Sequence, residues 1–107
     1  MDRSGKGEIG VVIVVIGHFP AYVALSAKRG LKHFQVDPVT WESWTTAMQW
    51  SANRAFMDAA ILANAVFILA TPPHEARPGS WYRRELDYLR SKGYQARLSG
   101  LDWELFL

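Results

Sequence analysis

The sequence predicts a small α/β layer fold, a mostly parallel sheet flanked by helices, and three observations carry that expectation. Ile9 to Ile16 is an almost unbroken β-branched run containing Val11, Val12, Val14 and Val15. Ala65-Val-Phe-Ile-Leu-Ala-Thr71 is a second apolar run of strand length. Between and after them the apolar spacing changes to threes and fours, the period of a helix. At 107 residues the chain suits one domain, residues 1–107, with a single modest core.

Each element follows from its residues. Met1 to Gly7 is polar and expected to fray. The first strand, Ile9 to Ile16, shows no apolar–polar alternation, so both its faces should be covered, as in a central parallel strand. Gly17 and Pro20 end it. The run is too short for a bilayer, which needs about 20 apolar residues, and it lacks a small-residue cleavage pattern. A soluble, cytoplasmic protein with no membrane partner is the expectation.

Ala21 to Phe34 reads as a helix whose last turn Gly30 weakens. Pro38 pushes Asp37 out of helical geometry within the connector Gln35 to Val39. Thr40 is then the N-cap of a long helix from Trp41 to about Asn64. One stripe of that helix, Trp44, Met48, Ala52, Ala55, Ala59 and Leu62, is expected to lie on the sheet. A second stripe, Trp50, Met57 and Ile61, falls nearly opposite and needs its own cover. Either a partner subunit supplies it, making a homo-oligomer, or Ala21 to Phe34 or the C-terminal tail does. Ala65 to Thr71 is the second strand. Ser80 caps a last helix running to about Lys92, and Gly93 stops it. Tyr94 to Leu98 reads as a third strand, and the tail from Leu101 to Leu107 as a fourth strand or an apolar arm.

Charge narrows the function classes. The formal net charge is +2. Lys28, Arg29 and Lys32 form one cluster; Arg83, Arg84, Arg90, Lys92 and Arg97 form another, interleaved with acids. Solvated helix faces account for both, so nucleic acid is not expected as a partner. The weaker reading in that direction would use Arg83, Arg84, Arg90 and Arg97. The chain has no cysteine, which removes disulfides, thiolate chemistry and Cys-based zinc sites.

Right-handed crossovers bring the loops after the first two strands, Gly17 to Pro20 and Pro72 to Gly79, to one sheet edge, where ligands of open parallel sheets bind. Trp81, Glu85 and Tyr88 share a stripe beside the core-facing Tyr82, Leu86 and Leu89. Aromatic flanking should desolvate Glu85 and raise its pKa, while Arg84 or Lys92 could lower it. Such a carboxylate can act as nucleophile or general base; the alternative is a surface ion pair with an arginine. His18 stands in the first cleft loop; His74 and Glu75 in the second could contact a polar ligand. The three histidines lack ligand spacing, so neither a metal nor a cofactor is expected. Gly79, Ser80, Trp81 and Tyr82 open the last helix and offer amides to an anion. No Ser-His-Asp pattern, nucleophile elbow or dinucleotide fingerprint is present.

Two phrases resemble a known family. Asp58-Ala-Ala-Ile-Leu-Ala-Asn-Ala-Val-Phe-Ile-Leu-Ala-Thr71 is similar to a helix-to-strand phrase, and Gly79-Ser-Trp-Tyr-Arg-Arg-Glu85-Leu-Asp-Tyr-Leu-Arg-Ser-Lys-Gly93-Tyr94 to the following helix, of the nucleoside 2-deoxyribosyltransferase-like superfamily. Val15-Ile-Gly-His-Phe19 resembles the opening strand and loop of the same proteins. Asn64 stands where the family phrase carries an acid. The resemblance implies a flavodoxin-like, deoxyribosyltransferase-like fold and a nucleoside-type ligand. It places the nucleophile, which takes the sugar as a glycosyl ester, on Glu85, and has Tyr88 and the Gly17, His18 and Phe19 loop line the pocket. His74, Ser80 and Trp81 complete the expected ligand contacts.

A second hypothesis is a non-catalytic protein-interaction module, of phage or mobile-element type, on the same scaffold. Trp41, Trp44, Trp50, Trp81 and Trp103 would supply its hot spots.

Overall fold

The computed structural model describes residues 11–107. The polar start, Met1 to Gly7, and the first residues of the predicted opening strand lie outside that range. The elements in chain order are β1 (Ile13–Ile16), α1 (Ala21–Arg29), α2 (Pro38–Ser43), α3 (Thr46–Leu62), β2 (Val66–Leu69), a 3-10 turn (Pro73–Glu75), α4 (Trp81–Ser91), β3 (Gln95–Ser99) and β4 (Asp102–Phe106).

The four strands form one mixed sheet in the order β1-β2-β4-β3. β1 and β2 pair in parallel, Ile13 opposite Val66 through Ile16 opposite Leu69. β4 pairs antiparallel with both β2 and β3. The expectation of a mostly parallel sheet is therefore corrected: one neighbouring pair is parallel and two are antiparallel. The cause is the two-residue link Gly100-Leu101 between β3 and β4. A link that short can only turn a hairpin, because a parallel partner needs a crossover of a dozen or more residues. Gly100, at φ 63°, supplies the left-handed backbone the turn uses. β3 still runs in the direction of β1 and β2, and β4 is inserted between them.

Burial follows the strand reading. Val14, Val15 and Ile16 of β1 and Phe67, Ile68 and Leu69 of β2 are all buried, so both faces of this pair are covered. One face, with Val14, Ile16, Phe67, Leu69 and Leu105, joins Met57, Tyr82, Leu86 and Leu89 in the main core. α1 lies on the opposite face, where Arg29 at its end meets Asp102 of β4 at 3.0 Å.

The helices differ from expectation in two ways. The first helix stops at Arg29 because Gly30, at φ 65°, takes the left-handed cap. The predicted long helix is two. Asp37 caps α2 by accepting from the Thr40 amide at 3.1 Å, with Pro38 as its first residue. Trp44 is extended, and Thr45 then caps α3 by accepting from the Met48 amide at 3.2 Å. Both Thr40 and Thr45 are competent caps; the second one wins the long helix.

The face of α3 is also corrected. Asn53, Met57 and Ala60 are its buried residues, so the stripe containing Trp50, Met57 and Ile61 packs on the core. The stripe expected on the sheet faces out, with Met48 49% and Leu62 88% exposed. Met57 is buried, and Trp50 and Ile61 are partly buried against the core, so much of that face is covered within the chain. α3 ends at Leu62, and Asn64 adopts φ 56° just beyond it. Asn tolerates that left-handed conformation better than most side chains.

No helix among the described residues is long and apolar enough to cross a membrane.

Candidate functional site

The carboxyl end of β1, the later part of the loop after β2 and the start of α4 border a cavity of about 310 Å³. Gly17 lets the ends of β1 and β2 approach. A Cβ there would sit 2.9 Å from the Ala70 Cβ and 3.2 Å from the Thr71 amide nitrogen. The neighbouring His18 amide donates to the Thr71 hydroxyl at 3.0 Å, stitching the two strand ends. Because the clash is with fixed strand-end atoms, Gly17→Ala is expected to cost roughly 1–3 kcal/mol, read as a lower Tm.

His18 extends that stitch. Its Nε2 accepts from the Arg77 amide at 3.2 Å, and its ring meets Tyr82 edge-on at 5.1 Å. Tyr82 in turn donates its hydroxyl to the Thr71 carbonyl. The loops after β1 and β2 are therefore held together as one rim.

α4 is set by Ser80, whose hydroxyl accepts from the Arg83 amide at 3.1 Å. Its period buries Tyr82, Leu86 and Leu89 and places Trp81 and Glu85 on the cavity wall. Glu85 is half-buried and its remaining surface opens into the cavity. Its Oε2 accepts from Asn53 Nδ2 at 2.6 Å. Among the described residues no lysine or arginine pairs with it: Arg83 bridges to Asp87, and Arg84 lies over the Trp50 ring at 4.1 Å. Lys92 lies over Tyr88.

Electrostatics follow from that isolation. Burial pushes the Glu85 carboxyl up to about 7, against a smaller downward pull from the Asn53 hydrogen bond. The hydroxyls of Tyr22 and Tyr82 are raised too, first by burial and then by the negative field of Glu85. Both side chains line the same cavity as the carboxyl. Asn53→Ala removes the one interaction that favours the charged form. It is expected to move the Glu85 titration to higher pH, read from the pH dependence of its carboxyl carbon shift.

Of the sequence-predicted residues, Glu85, Gly17, His18, Phe19, Ser80 and Trp81 line this cavity. His74 and Tyr88 do not. His74 is largely exposed, beside Glu75 at 3.7 Å and the Trp103 ring at 6.3 Å. Tyr88 sits on the far side of Trp50, edge-on at 5.9 Å, and donates its hydroxyl to Asp58. One turn further along α4 than Glu85, the stripe has already rotated past the cavity.

Tyr22, Phe34, Trp41, Asn53 and Arg77 line the cavity without having been singled out as ligand contacts. Asn53 had a readable signal, a polar residue inside the apolar stripe from Trp50 to Met57. Tyr22, Phe34 and Trp41 come from three separate segments, and nothing local marks them. The tryptophans form the wall's backing: Trp41 meets Trp81 at 5.7 Å, Trp50 stacks on Trp81 at 6.2 Å, and Trp44 touches Trp41 at 6.3 Å. All five tryptophans are partly buried, Trp103 against the core and His74.

No family model, curated protein or solved structure matches this chain. Its chemistry is read from the cavity itself.

Proposed function

We propose that the protein binds a nucleoside-type small molecule and breaks its N-glycosidic bond with Glu85 as the nucleophile. The observation that carries this reading is the unpaired Glu85 carboxyl on the wall of an aromatic cavity at the carboxyl end of β1. Tyr22, Phe34, Trp41 and Trp81 offer flat apolar faces on which a base can stack. The sugar then lies toward the carboxyl. A Glu85 oxygen bonds to the anomeric carbon as the bond to the base nitrogen breaks, its electron pair leaving with the base. Water or a second base next attacks the same carbon, the ester oxygen leaves with its pair to restore the carboxylate, and the proton lost by the attacking group passes to the departed base. Asn53 orients Oε2 and shares its charge.

The nucleophile must be ionised. With the carboxyl held up to about 7, kcat/KM is expected to rise with pH and level off above that value. The direct experiment is mass spectrometry of the intact protein after incubation with a panel of 2′-deoxynucleosides and ribonucleosides. A glycosyl adduct on Glu85, absent from Glu85→Gln, is the expected result. A rate that falls as pH rises through 7 would instead make Glu85 an acid and end the nucleophile assignment.

A further inference from the structure

The Glu85 chamber has a neighbour. Phe19, Tyr22, Phe34 and Trp41 wall it and also line a second recess of about 290 Å³, completed by Val23, Val36 and Pro38 among others. Two adjoining spaces with a shared aromatic wall suit a ligand with two planar groups.

The proton inventory narrows the ligand further. Among the described residues Glu85 is the sole Asp or Glu lining either space. Glycosidic cleavage ordinarily uses two carboxyl groups, one of them to protonate the leaving group. Glu85 cannot be nucleophile and acid in one step. Tyr22 and Tyr82 hold their protons more tightly than usual, and His18 spends Nε2 on the loop after β2, between the Arg77 amide and the Glu75 carbonyl. A leaving group that needs no proton removes the difficulty, and a pyridinium ring is such a group. Its positive charge also suits a lone carboxylate among aromatic faces.

We propose that this site cleaves the N-glycosidic bond of a pyridinium riboside carried in a dinucleotide, with the outer recess holding the second planar ring. This rests on the assignment of Glu85 as nucleophile. A Glu85 oxygen bonds to the anomeric carbon, and the pyridinium nitrogen leaves with the bonding pair as a neutral pyridine. Water then attacks that carbon, the ester oxygen returns to Glu85 with its pair, and one proton passes to solvent. Free sugar, pyridine and a proton balance the reaction, and no oxidant is consumed.

Chromatographic detection of the released base tests the proposal, using oxidised nicotinamide adenine dinucleotide, its reduced form with an uncharged ring, and 2′-deoxynucleosides as separate substrates. The oxidised form is expected to be cleaved roughly 100-fold faster than the others, the low end of what a missing general acid is worth. Glu85→Gln is expected to abolish release. Val36→Trp, which fills the recess, is expected to raise KM for the dinucleotide and leave nicotinamide mononucleotide unaffected. Cleavage of deoxynucleosides without the dinucleotide overturns this proposal and leaves the nucleoside reading standing. If no substrate is cleaved and none quenches tryptophan fluorescence, both fall. Equal KM effects on dinucleotide and mononucleotide remove the recess from the site.

Discussion

Glu85→Gln is expected to stabilise the protein at pH 8 and abolish its activity. The unfolded carboxyl releases its proton near 4.5, whereas the folded one holds it to about 7. Between those values folding takes up a proton, so stability is full below about 4.5 and is lost as pH rises toward 7. The shift corresponds to about 3 kcal/mol at most. Gln keeps the shape, and its carbonyl oxygen can still accept from Asn53, while carrying no charge to bury. A Tm gain on the order of 10 °C at pH 8, vanishing near pH 4, is the expected signature. A lower Tm at pH 8 would mean that the charged form is held by partners in the fold, and that the carboxylate is structural. The sign therefore separates a destabilising functional group from a stabilising one.

Met57→Asp is expected to prevent folding, whereas Met48→Asp should be tolerated. Met57 is 1% exposed in the centre of the core, and an unpaired carboxylate there costs more than about 4 kcal/mol, a large part of a domain's total stability. Met48 lies in the first turn of α3, where an acid meets the positive end of the helix dipole and is worth roughly 0.3–1 kcal/mol in its favour. Urea titration followed by circular dichroism reads both. The reverse result would put the Trp44, Met48 and Leu62 stripe inside.

That pair of residues also marks where the sequence becomes hard to read. The β1 and β2 runs were legible because strands covered on both faces have no polar positions to confuse the pattern. The helix that carries Glu85 was legible because Tyr82, Leu86 and Leu89 leave one unambiguous apolar stripe. α3 offers two stripes, one built largely of alanines. Alanine is at home on either face, so spacing alone cannot choose; the bulk of Trp50 against Trp81 does. The break at Trp44 depended on competition between Thr40 and Thr45, which no single-residue preference resolves. β4 alternates weakly; the turn at Gly100 makes it the antiparallel partner of β3, but no local pattern marks which of the two strands lies beside β2. In the site, Glu85, His18 and the α4 start could be placed from topology, while Tyr22 and Phe34 arrive from chain segments linked to Glu85 only through the folded sheet.

The insertion of β4 between two earlier strands has a consequence for biosynthesis. A nascent chain halted before residue 101 holds β2 with one side open and β3 with nothing to pair against. The sheet cannot close before β4 is available, so a chaperone meeting the chain before then would encounter an exposed strand edge.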